Sequence, residues 1–215
     1  MRDHTDCKYW KYDSHPDRQT LLPGRCRQLI DAGLRNSSPL SASPFDTRQD
    51  HAFMFGGMTP ADCTCILGNY RGTRSCPDLV DCRVQILDDP NVGLEAEFVH
   101  DAMVEFEAQG DRVMTAYLRW ATGEGESESL VQKVKKFGVV AAYIFERFLT
   151  IHPYIDGNGH CARLLLCKLM AWAGFPTREW DIDQKFQIYQ DIRLHRAGQR
   201  GQLMQKLTSH ILSVM

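Results

Sequence analysis

The stretch His152-Pro-Tyr-Ile-Asp-Gly-Asn-Gly-His-Cys-Ala-Arg163 separates the two most apolar segments of the chain. On its N-terminal side Leu130, Val134, Phe137, Ala141, Ile144, Phe145 and Phe148 recur at helical spacing, which predicts a helix. Proline at 153 lacks a backbone donor and restricts the residue before it, so this helix should stop at His152-Pro153. On its C-terminal side a second helix is expected from about Asn158 to Ala173, closed by Gly174. Ala162, Leu164, Leu165, Leu166, Leu169, Met170 and Trp172 make that helix apolar on most sides, as a central, buried helix requires.

The loop itself has the makings of an anion site. Gly157-Asn158-Gly159 feeds a helix N-terminus whose first N–H groups lack intrahelical partners, and those donors and the helix dipole together suit phosphate. Side chains on a helix lean toward its N-terminus, so Arg163 should reach back over the site with a planar fork that fits phosphate. His160, three residues earlier, shares its face. Asp156 places one carboxylate beside the phosphates, the usual way of holding Mg²⁺. His152 can exchange a proton near neutral pH. Any one of these residues alone reads as an ordinary polar residue at a helix–loop–helix turn. Two glycines, an arginine, a carboxylate and a base within twelve residues argue for chemistry.

Working outward, further helices are expected at Arg25–Leu34, Asn91–Gln109, Asp183–His195 and Gly201–Ser213, with a solvated loop at 122–129. The fold class is therefore all-α. Alternation of Val80, Cys82, Val84 and Ile86 gives the one β signal and predicts a short hairpin within residues 76–88. Residues 1–44 read as a partly irregular N-terminal appendage ending in the loop Asn36–Pro44, and 45–215 as the globular domain.

Composition bounds the function. A chain of 215 residues, 43% hydrophobic and 24% charged, carries one well-buried core. The net charge of −2 leaves no basic footprint for nucleic acid. No apolar run reaches membrane-spanning length, and no signal peptide opens the sequence, so a cytoplasmic protein is expected. Its eight cysteines are then expected as free thiols. The alternative is a zinc site in Cys63, Cys65, Cys76 and Cys82, although Cys-x-Cys is tighter than the usual ligand spacing.

The loop resembles the signature of the Fic family, His-x-Phe-x-Asp/Glu-Gly-Asn-Gly-Arg-x-x-Arg, at His152, Asp156, Gly157, Asn158, Gly159 and Arg163. Tyr154 replaces the usual phenylalanine, and His160 stands where the first arginine belongs. His51-Ala-Phe-Met-Phe55, Gly68-Asn-Tyr-Arg71 and Tyr189-Gln-Asp-Ile192 are similar to flanking family segments, so the resemblance covers roughly residues 45–212. It implies the Fic fold, a helical bundle with a short β-hairpin flap at 76–88, and protein adenylyltransferase activity. AMP would pass from ATP to a Ser, Thr or Tyr hydroxyl, and pyrophosphate would leave. His152 would be the base and Asp156 the Mg²⁺ ligand. Gly157, Asn158, Gly159 and His160 would cradle the phosphates, and Arg163 would bind the γ-phosphate. The target protein would add a strand to the flap. Transfer of UMP, phosphocholine or phosphate from the same fold is the alternative, as is an interaction module that has lost activity. The family's inhibitory glutamate motif has no match, because the one Glu followed by Gly or Asn is Glu124, with Trp120 four residues before it. Inhibition by a separate, antitoxin-like protein therefore remains open.

Overall fold

The structure is a computed structural model that describes residues 7–34, 43–84, 89, 91–175, 180–182 and 188–215. Eight helices follow one another among these residues: α1 (Arg18–Leu34), α2 (Arg48–Phe55), α3 (Pro77–Val80), α4 (Ala96–Thr122), α5 (Leu130–Ile151), α6 (Asn158–Trp172), α7 (Tyr189–Arg196) and α8 (Gly201–Val214). Short 3₁₀ turns lie at Cys7–Tyr9, Tyr12–Ser14 and Ala61–Ile66. No strand occurs among the described residues, so the fold is all-α.

Helix α6 is the axis of the molecule. Its residues from Cys161 to Met170 are all buried. Helix α5 packs against α4, α6 and α8, and α1 lies along α6. The apolar stripe of α5 (Val134, Phe137, Ala141, Phe145, Phe148) is buried as its spacing required. Ser129 caps its start by accepting from the N–H of Gln132 at 3.3 Å. One charge on α6 is taken inward: Lys168 donates to the Asp50 carboxylate of α2 at 2.5 Å, with both side chains nearly without solvent exposure. Arg196 of α7 ties α5 to the segment before α4, through Glu146 at 2.9 Å and Asp89 at 2.7 Å.

Three expectations change. Residues 7–34 are part of the core rather than appended to it, contributing Cys7, Trp10, Tyr12, Leu22, Cys26, Leu29 and Ile30. Their helix begins seven residues before Arg25, at Arg18. Helix α4 starts and ends later than its sequence pattern suggested, running through Gly110 to Thr122.

The hairpin is not formed over 76–84. Pro77 instead opens the helical turn α3, where its missing donor costs nothing. The carbonyl of Cys82 accepts from the Arg71 guanidinium at 3.0 Å rather than from a strand partner. The rest of the expected hairpin, at 85–88, lies outside the described residues, as does most of the predicted 183–195 helix before Tyr189.

The cysteines are not all free. Cys7 bonds to Cys63 and Cys65 to Cys76, while Cys26, Cys82, Cys161 and Cys167 are buried thiols. A 3₁₀ turn advances about three residues per revolution. Cys63 and Cys65 therefore leave Ala61–Ile66 on different faces and pair with different segments. Cys65, Cys76 and Asp78 do converge, but the two sulfurs are spent on each other. No described helix is long and apolar enough to cross a membrane.

Candidate active site

Helix α5 ends by turning His152 into the left-handed conformation, φ 53°, the one described non-glycine residue with positive φ. Such a conformation persists only where the surroundings over-determine it. Here Arg71 does so. Its Nε donates to the His152 carbonyl at 2.9 Å and its Nη2 to that of Ile151 at 3.1 Å. Its Nη1 donates to Cys82 at 3.0 Å and Leu94 at 2.8 Å, and its own N–H to the Pro153 carbonyl at 2.8 Å. Arg71 has no solvent exposure. A fully buried guanidinium is thus matched to four carbonyls from three stretches of chain.

His152 keeps a partly exposed edge. Its Nδ1 lies 3.3 Å from the Leu149 carbonyl, an acceptor only, so the neutral ring carries its proton on Nδ1 and its lone pair on Nε2. Burial lowers its pKa to about 4, opposed by the hydrogen bond to Leu149 and aided to a smaller extent by the Arg71 and Lys11 charges. At neutral pH the imidazole is uncharged.

The middle of the loop is fastened to α2. Tyr154 is fully buried, stacked on His51 with ring centroids 4.0 Å apart, and shares a hydrogen bond with Thr47 at 2.9 Å. The hydroxyl is what a phenylalanine at 154 would lack. His51 accepts from the Gly68 N–H on Nδ1 at 3.1 Å. Its Nε2 therefore carries the proton and donates to the Asp156 carbonyl at 3.0 Å. Burial lowers the His51 pKa to about 4, so this tautomer stays neutral. Asn158 closes the loop on itself: its Oδ1 accepts from the Tyr154 N–H and its Nδ2 donates to the Tyr154 carbonyl, both at 2.9 Å. That side chain is engaged within the loop and leaves only its main-chain N–H for a ligand.

Gly157 sits at φ 80° with the Phe55 ring against the place a Cβ would occupy, so no other residue fits. Helix α6 begins immediately after it. The N–H groups of His160 and Cys161 turn back to the Gly157 carbonyl at 3.1 and 3.2 Å. Those of Asn158 and Gly159 have no partner among the described residues. Arg163 lies alongside Gly159, its Nη1 3.1 Å from where a Cβ of that residue would lie. It is held there by an Nε bond to the Ile182 carbonyl at 2.8 Å, while its own carbonyl accepts from Trp180 at 3.0 Å. Two main-chain donors, a helix dipole and a guanidinium thus converge at the helix start.

Asp156 adjoins this point. Its Oδ1 accepts from the Gly157 N–H at 2.9 Å and its Oδ2 from the Tyr12 N–H at 3.3 Å. Burial raises its pKa, opposed by the Lys11 charge and both hydrogen bonds. His160 is buried, edge-on to Tyr12 at 5.0 Å and to Phe55 at 5.7 Å. The loop therefore brings His152, Asp156, Gly157, Asn158, Gly159, His160 and Arg163 onto one turn, as the spacing suggested. Arg71, His51 and Tyr12 act on it from elsewhere. Of these, only Tyr12 stood outside every motif.

Comparison with known proteins agrees with this geometry. Residues 79–170, which contain the whole loop, match the Fic/DOC family. The chain is 33% identical over 86 residues to the protein adenylyltransferase Fic of Drosophila persimilis, 40% of this chain and 16% of that protein. It is 38% identical over 58 residues to the Fic protein of Drosophila grimshawi, 27% of this chain and 12% of that one. With the protein adenylyltransferase fic-1 of Caenorhabditis elegans it shares 29% over 70 residues, 33% and 14% of the two chains. The match thus spans under a fifth of the length of these relatives. The signature loop, its helical frame and the match over residues 79–170 thus agree in their likeness to the Fic/DOC family.

Proposed function

We propose that this chain is a protein adenylyltransferase that transfers AMP from ATP to a Ser, Thr or Tyr hydroxyl of a target protein. The observation that carries the proposal is the pair of N–H groups at Asn158 and Gly159 without a partner among the described residues, with Arg163 alongside Gly159. This is a site for the polyphosphate of a nucleotide. His152, on the same turn, presents Nε2 as acceptor. The target hydroxyl passes its proton to Nε2 and its oxygen attacks the α-phosphorus. The bond from that phosphorus to the bridging oxygen breaks, and pyrophosphate leaves with the electron pair. An imidazole of pKa about 4 is a weak base in the free protein, and the negative charge of a bound triphosphate would raise it.

Asp156 is the residue that would hold Mg²⁺. A lone carboxylate in a dry setting with a raised pKa suits a cation shared with phosphate oxygens. Bound there, magnesium would neutralise charge on the leaving pyrophosphate. The chain's own residues supply position: Arg71 holds the start of the turn rigid and His51 its middle, and rigidity of this kind is a large part of phosphoryl-transfer catalysis.

The test is incubation with isotope-labelled ATP, UTP, CTP and GTP in a lysate, followed by mass spectrometry of modified proteins. AMP on a hydroxyl supports the proposal, and modification by another nucleotide or none refutes it. His152→Asn keeps a side chain that tolerates the left-handed conformation. It should lower transfer about 10²–10⁴-fold while leaving ATP affinity unchanged. Wild-type turnover by this variant would remove His152 as the base.

A further inference from the structure

The signature loop has an imidazole at 160 where the family motif carries a permanently charged guanidinium. That imidazole is almost without solvent exposure, walled by Phe55 and by Tyr12 of the N-terminal segment. The same segment brings another cation to the loop. Tyr12 donates its N–H to the Asp156 carboxylate, which fixes the backbone of its neighbour, Lys11, beside the candidate Mg²⁺ ligand. Trp10, on the other side of Lys11, is anchored by its indole N–H to the Met58 carbonyl at 2.8 Å. Cys7 is bonded to Cys63. Lys11 therefore projects from a segment pinned before and after it, while its own side chain is exposed.

We infer that Lys11 is a phosphate-binding residue of the nucleotide site, supplying from the N-terminal segment the fixed positive charge that position 160 does not. Lys11 has no ion-pair partner among the described residues, and the acid two positions on, Asp13, is paired with Arg18 at 3.1 Å. Its charge lowers the pKa of both Asp156 and His152, so the ammonium is within electrostatic reach of both ends of the candidate chemistry. A flexible ammonium suits an oxygen shared by several phosphates, since it needs no fixed fork geometry.

This inference rests on the reading of the loop as a nucleotide site, and calorimetry on the full chain separates the two. Mg²⁺-ATP and adenosine are titrated into wild type, Lys11→Gln and Lys11→Arg. Lys11→Gln should bind ATP about ten-fold or more weakly, as expected for one lost charge-assisted contact, and adenosine as wild type does. Lys11→Arg should stay within a few-fold of wild type for ATP. Equal ATP affinity in wild type and Lys11→Gln overturns the role of Lys11 and leaves the nucleotide site standing. Tighter ATP binding by Lys11→Gln also overturns it, and marks the segment as a cover rather than a contributor. Equal weakening for ATP and adenosine overturns it too, because the loss would then be structural. A wild type that binds neither compound removes the nucleotide reading, and the inference with it.

Discussion

The two ends of the signature loop are built on opposite plans. At the His152 end every carbonyl that could face a ligand is consumed internally: those of Ile151 and His152 by the Arg71 side chain, and that of Pro153 by the Arg71 main chain. At the Gly159 end two donors have no partner among the described residues, and a guanidinium lies beside them. One end is locked so that a single ring nitrogen is held in place, and the other is kept unsatisfied so that a ligand can complete it. The lesson is that in this loop rigidity and vacancy are supplied by different residues, and they should fail separately.

The largest effect is expected where the lock is broken. Arg71→Ala leaves the carbonyls of Cys82, Leu94 and His152 without a partner among the described residues, each worth about 1–3 kcal/mol when left unsatisfied, while Ile151 keeps the Leu94 N–H. A loss of at least about 3 kcal/mol should appear in urea denaturation, with most of the cooperative transition gone. Arg71→Lys should rescue little, because an ammonium cannot span the same fork. Near-wild-type stability of Arg71→Ala would show that the left-handed turn holds itself.

The second test uses pH. His51 and His152 both have folded pKa values of about 4, below the ordinary 6.5. As pH falls from 6.5 toward 4, the unfolded chain takes up protons that the folded one refuses, so stability falls across that window. Each histidine contributes a slope of up to about 1.4 kcal/mol per pH unit. Asp50 and Asp156, raised by burial, act with the opposite sign above 3.8, and comparing His152→Asn with wild type between about pH 4 and 6.5 cancels their shared contribution. There His152→Asn should lose about one proton's worth of slope against wild type. Identical slopes would mean that the His152 ring is protonated as freely in the fold as outside it.

The smallest effect tests the open end. Gly159→Ala puts a methyl group 3.1 Å from Arg163 Nη1, a contact the side chain can relieve by a small shift. Stability should change by less than about 1 kcal/mol, since the site is a helix position where alanine is intrinsically favoured. ATP affinity should nevertheless drop several-fold, about the cost of a poorly aligned charge-assisted bond. A variant that keeps its affinity would show that Arg163 does not need its present pose.

The sequence made the loop and its flanking helices legible, because local chemistry decides them. Pro153 stops α5, Gly157 admits the turn, and the apolar pattern of α6 leaves it nowhere to go but inside. Arg71 could be noticed as part of Gly68-Asn-Tyr-Arg71, but not as a lock. Its acceptors at 82, 94, 151 and 152 come together only in the folded chain. Val80, Cys82 and Val84 misled for a related reason. Alternation is a local signal, and it lost to Pro77 as a helix start and to Arg71's hold on the Cys82 carbonyl. The disulfides were hidden because their pairing depends on which way a 3₁₀ turn aims two cysteines. Tyr12 was invisible because it meets Asp156 across 144 residues of sequence.

The Cys7–Cys63 bond gives the protein a covalent topology as well as a shape. It closes residues 7–63 into a ring that carries Lys11, Tyr12, Thr47, His51 and Phe55, all of which touch or charge the signature loop. A single cut anywhere inside that ring would leave one covalent molecule under oxidising conditions and two under reducing ones. The redox history of a preparation would then decide whether a nicked chain still presents one signature turn with its N-terminal wall in place.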